Sequence, residues 1–176
     1  MPYIRGLPSY ISFASKKALT AAAANYGCAM LWAEGHTATP ELSGNEESLV
    51  FSEQDLAERY EELAPKGQVD LVVIGCPQAS LEEIRITASA VRSYSEMGQI
   101  IPENRLWVFT SSHNYELADA DGSIGILEEA GAVILQDTCP EVTPYNRKRY
   151  NHLMTKSPKA EHYLTSGLNK RPTSSL

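Results

Sequence analysis

Two cysteines stand where the chain could present thiols to a metal ion. Cys76 and Cys139 are 63 residues apart, each comes after an apolar run, and each is followed directly by proline. Thiolates are the preferred ligands of iron–sulfur clusters and other soft metals, and a proline stiffens the loop that carries the sulfur. Free cysteine is also a common small buried apolar residue, and the usual C-x-x-C ligand pair is absent. Both interpretations stay open from the spacing alone.

Hydroxyl side chains gather after the same apolar runs. The set comprises Ser80, Thr110, Ser111, Ser112, Thr138, Thr155 and Ser157. Serine and threonine are favoured helix N-caps, and capping is the expected role of Ser80, Ser112 and Ser157. Strand-end hydroxyls beside helix N-termini also form carboxylate or phosphate sites, so the grouping makes a small anionic ligand the alternative.

Basic side chains lie beside the last two of these hydroxyls, Thr155 and Ser157. Lys156 comes just before a predicted short helix, and Lys159, His162 and Tyr163 fall within one turn of that helix, so the three share one face. A solvated helix face is the common arrangement for such residues. A ligand-binding face is the alternative.

The elements that must position these side chains are predicted to alternate between strand and helix. A β-branched run predicts a strand at residues 69–74, and apolar runs predict strands at residues 105–109 and 132–136. We expect a further short strand at residues 152–154. Helices are predicted to begin at Ser80, which opens a capping box, after Ser112, and at Ser157. The second of these is predicted to be interrupted near Asp121 and Gly122. This alternation predicts a parallel α/β sheet covered on both faces. Ligands of such sheets bind beyond the carboxyl ends of the strands, where Cys76 and Cys139 lie.

The first third of the chain is predicted to form a smaller helix–strand–helix part. Residues 15–26 are rich in alanine and predict a helix, residues 28–33 predict a buried strand, and residues 52–63 predict a second helix. Cys28 begins this strand at the opposite end of the sheet and is interpreted as core. The predicted division is residues 1–66, residues 67–166, and a frayed tail at residues 167–176.

Composition limits the class of protein. The 176 residues carry a formal net charge of −7 and are 43% apolar. An acidic chain lacks the basic face that nucleic-acid phosphates require. A membrane-spanning helix needs about 20 apolar residues, and no apolar run in this sequence approaches that length. Three cysteines fit reduced thiols in the cytoplasm better than a disulfide framework. We therefore expect neither a nucleic-acid nor a membrane partner.

The order of the motifs resembles the aconitase X family, in the C-terminal part of its large subunit. The resemblance is carried, in family order, by residues 35–41, 69–84, 106–111, 126–140 and 155–163. Gly75-Cys76-Pro77 resembles the family's G-C-P motif, Asp137-Thr138-Cys139 its D-T-C motif, and residues 155–163 its T-N-S-A-K-x-x-H-Y motif. Together these segments cover nearly the whole chain.

The resemblance implies a hydro-lyase with the three-layer α/β/α fold of the aconitase superfamily. Members of the family dehydrate cis-3-hydroxy-L-proline or 5-phosphomevalonate, using iron or an iron–sulfur cluster (2Fe-2S, 4Fe-4S or mononuclear iron). Elimination of water needs a Lewis acid on the leaving hydroxyl and a base for the α-proton. By resemblance, Cys76 and Cys139 are metal ligands. The remaining expected site residues are Ser111, Ser157 and Lys159 as catalytic residues, and Thr110, Thr138 and His162 as substrate-binding residues.

The chain also departs from the family pattern. The upstream region, where we expect a further cluster ligand, and the small swivelling domain, which by resemblance supplies a catalytic serine, are absent from this sequence. We therefore expect activity only with a small swivel-domain subunit or the missing domain. Gln78 replaces a common histidine, and Lys156 replaces an asparagine. A non-catalytic α/β remnant or interaction subunit is the alternative function.

Between the two substrates, the sequence favours cis-3-hydroxy-L-proline. The chain is acidic, and Lys156 and Lys159 are the only basic residues near the expected site that could clamp a phosphate. 5-Phosphomevalonate is the alternative substrate.

Overall fold

The computed structural model describes residues 1–64, 67–146, 148–166 and 173–175. The chain divides into two compact units, Met1–Glu62 and Leu63–Leu176. The predicted division after residue 66 stays a prediction, because residues 65 and 66 lie outside the described residues. Within the described part of the chain, every helix is too short or too polar to span a bilayer.

The first unit contains two short paired strands. Its elements are β1 (Tyr3–Ile4), α1 (Phe13–Asn25), β2 (Trp32–Ala33) and α2 (Glu53–Leu63). The predicted strand at residues 28–33 forms only over its last two residues, which pair with β1 in a separate two-stranded sheet. The expectation that it joins the larger sheet was therefore wrong. A partner strand of two residues is too short to leave a periodic pattern, and Cys28 is only half-buried.

A five-stranded parallel sheet forms the second unit. Its strands are β3 (Leu71–Ala79), β4 (Leu106–Thr110), β5 (Val133–Gln136), β6 (Leu153–Thr155) and β7 (Thr173–Ser175). Their order across the sheet is β5-β4-β3-β6-β7, and every neighbouring pair is parallel. Because every pair is parallel, the carboxyl ends of the five strands meet at one edge of the sheet.

β7 falls inside the predicted tail. Residues 167–172 and 176 of that tail lie outside the described residues.

Helices follow the strands, as the sequence predicts. They are α3 (Leu81–Glu96), α4 (Ser112–Ala120), α5 (Ser123–Glu129) and α6 (Pro158–Ser166). Ser80 begins α3 through a capping box with Glu83. Gly122, with φ of 83°, separates α4 from α5. The predicted capping box and the predicted break between these two helices are both confirmed.

Two apolar cores lie on opposite faces of the sheet. Successive side chains of a strand point to opposite faces, so Ile74 and Val108 enter one core while Val73 and Phe109 enter the other. α3, α4 and α5 close the first core. α6 and the segment before β6 close the second. The predicted three-layer arrangement of a parallel sheet between helices is confirmed.

Candidate functional site

A bulge interrupts the pairing of β3 with its neighbour β4 near the carboxyl end of β3. Ile74 pairs with Val108, but the next pair along is Ala79 with Thr110, so the residues between Ile74 and Ala79 interrupt the ladder. The Thr110 hydroxyl donates to the Ala79 carbonyl at 2.8 Å and re-anchors the strand after the interruption. The bulge carries Cys76, whose peptide bond to the following proline is cis. This geometry holds the first thiol at the carboxyl edge of the sheet.

Gly75 allows the bulge to lie against β4. Its φ is +99°, and a Cβ at this position would lie 2.0 Å from the carbonyl oxygen of Phe109. Side chains of L-residues rarely accept such a φ, and the separation is far inside van der Waals contact. Glycine is therefore required beside Cys76, and the backbone of the cysteine has a defined place.

Cys139 lies in the loop that follows β5. The Asp137 N–H donates to the Thr110 carbonyl at 2.9 Å, and the Asp137 carboxylate accepts from the Ser112 N–H at 3.0 Å. The Thr143 hydroxyl donates to the carbonyl of Cys139 at 2.9 Å. The loop is thus tied at its start to β4 and α4, and at the cysteine to its own next turn.

α6 brings a cation and an aromatic ring to the cysteines. Ser157 is its N-cap: the Oγ atom accepts from the Ala160 N–H at 3.0 Å and donates to the carbonyl of Cys76. Lys159 and Tyr163 lie one turn apart on the helix and line the same cavity as the thiols. The predicted cap is confirmed, and it also ties α6 to the bulge.

These elements form a cavity of about 400 Å³. Its lining residues are Gly75, Cys76, Pro77, Gln78, Thr138, Cys139, Glu141, Lys159 and Tyr163. Four of the expected metal-ligating, catalytic and substrate-binding residues meet here: Cys76, Cys139, Thr138 and Lys159. Two thiols, an ammonium, a hydroxyl and a carboxylate therefore share one space at the edge where parallel sheets bind ligands.

A second cavity of about 550 Å³ lies beside α3, at the other end of the strands. Its walls are mostly apolar and include Val72, Tyr94, Ile101 and Met154. Apolar side chains supply neither a nucleophile nor a metal ligand, so the candidate site is the smaller cavity with the thiols.

The charges around Cys76 oppose one another. Burial is the largest influence and raises the pKa of the Cys76 thiol above its ordinary value. The Lys159 ammonium and the Ser157 hydroxyl lower that pKa, while Cys139 and Glu141 raise it. The thiol is therefore held neutral in the cavity, and a bound cation would favour the thiolate that binds metal.

Replacing Lys159 by glutamine is expected to slow the alkylation of Cys76 at a given pH. Without the ammonium, burial acts with less opposition, the pKa of the thiol rises further, and less thiolate is present. The measurement is the rate of iodoacetamide modification from neutral to alkaline pH, in a Cys28→Ser, Cys139→Ser background. The midpoint of the profile should move to higher pH.

Lys156→Gln is the matched control for this profile, because the Lys156 ammonium lies 3.7 Å from a Glu83 carboxylate oxygen and does not line the cavity. An unchanged midpoint in Lys159→Gln would contradict the influence of the Lys159 ammonium on the pKa of Cys76.

The raised pKa of the Cys76 thiol also makes the stability of the fold depend on pH. The contribution of this thiol to the free energy of unfolding is complete below the pKa that the thiol has in the unfolded chain, and it is lost as the pH rises through the higher pKa of the folded chain.

Four predicted site residues do not line this cavity: Ser157, whose capping role is described above, and three others. Thr110 is fully buried and bonded to the end of β3. Ser111 caps α4, where its Oγ atom accepts a backbone N–H at 3.2 Å. His162 packs edge-on against the Tyr163 ring, with centroids 5.6 Å apart. The catalytic role of Ser111 and the substrate roles of Thr110 and His162 stay predictions.

Two residues of the site were not singled out from the sequence. Glu141 lines the cavity, and its position two residues after Cys139 was the available signal. Gly75 sets the bulge, and a glycine directly before a strand-end cysteine was the signal there. Neither signal is specific, because acidic and glycine residues are common in loops.

The donor set of the cavity fits part of the shell of a soft metal. Cys76 and Cys139 offer two sulfurs to one space, and thiolates suit iron–sulfur clusters. Among the described residues, no group of three or more histidine, cysteine or acidic side chains is placed to hold an ion. The described residues therefore offer two thiols to one space, and a complete cluster there would need further ligands.

Comparison with known sequences identifies relatives that share this region. The family profile described as Aconitase X third domain matches residues 69–173, which contain both cysteines and Lys159. The large subunit of phosphomevalonate dehydratase from Methanothermobacter thermautotrophicus is 35% identical over 155 residues, covering 84% of this chain and 37% of its own length. The corresponding large subunit from Methanocaldococcus jannaschii is 34% identical over 121 residues, covering 68% of this chain and 28% of its own length.

Comparison with solved structures supports the same relationship. The crystal structure of Thermococcus kodakaraensis aconitase X, described as the holo-form, matches with a TM-score of 0.78 and 29% identity. The match covers 94% of this chain and 42% of that one. The chain thus spans less than half the length of the relatives that it matches.

Proposed function

This chain belongs to the aconitase X family, as a counterpart of its third domain, and we propose that it forms part of a hydro-lyase that eliminates water from a small hydroxy acid. The single observation that carries the proposal is the cavity in which Cys76, Cys139 and Lys159 meet. These are the group types that such an elimination uses: soft ligands for a metal centre and a cation for a substrate carboxylate.

Cys76 and Cys139 are the residues that would hold an iron or iron–sulfur centre. When bound, such a centre supplies Lewis-acid chemistry toward a hydroxyl oxygen. The Lys159 ammonium would bind and orient the substrate carboxylate, and the Thr138 hydroxyl would contact the substrate. We propose that Ser157 acts by holding Cys76 in place through its carbonyl, since its hydroxyl already donates there.

We propose 5-phosphomevalonate as the first substrate to test. The named relatives are large subunits of phosphomevalonate dehydratase. The sequence alone favoured cis-3-hydroxy-L-proline because a phosphate clamp was lacking, and the geometry leaves one lysine rather than two on the cavity, since Lys156 lies beside Glu83. A phosphate would therefore take part of its binding from outside the described residues.

A specific observation keeps cis-3-hydroxy-L-proline as the second candidate. Lys159 and Glu141 place opposite charges on one cavity. An amino acid carries a carboxylate and an ammonium at neutral pH, and such a pair complements both. 5-Phosphomevalonate is anionic at both ends, so Glu141 favours the amino acid over it.

The relatives' designation as large subunits supports a small-subunit partner. We propose that this partner, or a further domain, supplies the proton acceptor, and that the remaining metal ligand comes from another part of the large subunit. The described cysteines are free thiols, which suits a reducing compartment such as the cytoplasm.

A chimera tests the proposal. Residues 69–173 of this chain would replace the matched segment in the large subunit of Methanothermobacter thermautotrophicus, and the product would be purified anaerobically with that enzyme's small subunit. Because the transplanted segment carries both thiols and Lys159, we expect the chimera to retain iron and to dehydrate 5-phosphomevalonate. Turnover, iron content and thermal unfolding would be measured together on the same preparation, with the parent enzyme alongside.

The outcomes separate the alternatives. Turnover of cis-3-hydroxy-L-proline in place of 5-phosphomevalonate, abolished by Glu141→Gln, would establish the second candidate. A chimera that folds and retains iron but turns over neither substrate would contradict the dehydratase proposal and favour the non-catalytic remnant.

A further inference from the structure

The strand order separates the two thiols. Cys76 belongs to β3 and Cys139 follows β5, and β4 lies between these strands. Neighbouring strands are about 4.8 Å apart, so strands two places apart are separated by about 10 Å. Two sulfurs on one metal ion, each at a bond length of about 2.3 Å, lie at most about 4.6 Å from each other. The sheet alone therefore leaves the thiols too far apart, and the two loops must converge past the end of β4.

The side chain of Gln78 crosses this gap. Its Nε2 atom donates to the carbonyl oxygen of Thr138 at 3.2 Å, in a partly buried hydrogen bond between residues 60 apart in sequence. Gln78 is two residues after Cys76, and Thr138 is directly before Cys139. The bond therefore joins the two cysteine-bearing loops next to both sulfurs.

Other contacts hold each loop separately. Ser157 donates to the carbonyl of Cys76 from α6, and Thr143 donates to the carbonyl of Cys139 from within the same loop. Each of these bonds fixes one cysteine relative to its own surroundings. Thr110 links both loops to β4, since its hydroxyl donates to the Ala79 carbonyl and its own carbonyl accepts from the Asp137 N–H, but these bonds lie two or three residues away from the sulfurs. The Gln78 bond joins the two loops directly, beside both cysteines.

We propose that Gln78 is a positioning residue that holds the loops of Cys76 and Cys139 at the spacing at which both thiolates reach one metal centre. This inference rests on the proposed function for its metal, but the spacing itself is a property of this chain. Gln78 acts through the Thr138 carbonyl, to which it supplies an N–H donor.

The first experiment uses the whole chain in a Cys28→Ser background with Cd²⁺ as the probe, read by thiolate-to-metal absorbance. Gln78→Glu is nearly isosteric and sets a carboxylate against the Thr138 carbonyl, and Gln78→Ala removes the donor without adding charge. Gln78→Ala is expected to weaken Cd²⁺ binding by about tenfold or more, within the range of lost metal-site support. Gln78→Glu, and Gln78→His, which restores an N–H donor, are compared in the metal-free experiment below, because a carboxylate or an imidazole would itself bind Cd²⁺.

The second experiment is independent of metal. Glutathione redox buffers give the equilibrium constant for a Cys76–Cys139 disulfide, in which the two thiols reduce one oxidised glutathione to two reduced molecules. That constant measures how often the thiols meet, and it should fall by about tenfold in Gln78→Glu and Gln78→Ala and recover most of its value in Gln78→His. Gln136→Glu is the matched control, because Gln136 is exposed at the end of β5 and this substitution adds the same charge as Gln78→Glu.

The two measurements distinguish this inference from the proposed function. The disulfide constant could fall in the Gln78 variants although the chain does not chelate Cd²⁺ through both thiols. That result would support the role of Gln78 in spacing the loops and would contradict the proposed metal role of the two cysteines. Variants equal to Gln136→Glu in both measurements would overturn the inference. A wild-type chain that neither chelates nor cross-links would overturn it as well.

Discussion

Replacing Gly75 by alanine is expected to destabilise the second unit by about 4 kcal/mol. Overpacking a core costs about 1–3 kcal/mol, and a side chain held at positive φ adds about 1–2 kcal/mol. Both apply here, because the new Cβ would lie 2.0 Å from the Phe109 carbonyl oxygen at a φ of +99°. Phe109 is fully buried in β4, between β3 and β5, so its backbone has little room to retreat.

Two other glycines provide matched controls. Gly98 also has a positive φ, +73°, but nothing lies within 4 Å of an added Cβ, so Gly98→Ala should cost only about 1 kcal/mol. Gly125 lies within α5 with open space around it, so Gly125→Ala should stabilise the helix by up to about 1 kcal/mol. The difference in the free energy of unfolding between Gly75→Ala and Gly98→Ala separates the cost of the clash with β4 from the cost of a side chain at positive φ.

Urea unfolding followed by Trp107 fluorescence is the appropriate measurement, in a Trp32→Phe background that removes the signal of the first unit. Trp107 stacks on Tyr145, with ring centroids 5.0 Å apart, and therefore reports the packing of the second unit. Equal losses in Gly75→Ala and Gly98→Ala would refute the steric argument. Should Gly75→Ala be too unstable for urea titration, pulse proteolysis of Gly75→Ala and Gly98→Ala, both expressed at low temperature, would give the same ranking.

The second large effect is expected at the thiols. Cys76→Ser or Cys139→Ser should each weaken iron binding by about 100-fold or more, beyond the effect of losing a supporting residue. A serine hydroxyl stays protonated and is a hard donor, whereas a thiolate is charged and soft. Both cysteines line the one cavity, so the loss of either leaves a single sulfur there.

Anaerobic titration with ferrous iron and sulfide, read by visible absorbance and by iron content after desalting, measures this effect. Cys28→Ser is the control, since Cys28 lines a different cavity with Met30 and Trp32 in the first unit. The metal role fails if Cys76→Ser retains as much iron as Cys28→Ser does.

Local signals in the sequence were enough for most of the second unit. The capping box at Ser80, the break at Gly122 and the cap at Ser157 each depend on residues a few positions apart, and all three occur. One cap was placed a residue late: Ser111, not Ser112, caps α4. Neighbouring serines offer the same chemistry, and the end of β4 decides between them.

The bulge at Gly75 depended on contacts that no local pattern encodes. The apolar run predicts a strand ending at residue 74, yet β3 rejoins β4 at Ala79. What fixes the bulge is the approach of Gly75 to the Phe109 carbonyl, between residues far apart in sequence. The same holds for the candidate site. The sequence predicted cysteines at the ends of strands, but it did not predict the hydrogen bond from Gln78 to Thr138, because the two residues are 60 positions apart in the chain.

With the proposed metal role, the order of strands across the sheet would make metal binding depend on folding. Cys76 and Cys139 are separated by β4, so the pair exists only while β3, β4 and β5 are assembled. A ligand that spans both loops binds the native chain and not the unfolded one, and each tenfold of free ligand above its dissociation constant adds about 1.4 kcal/mol to the free energy of unfolding. The supply of iron would then set how much of this chain persists as well as how much is active.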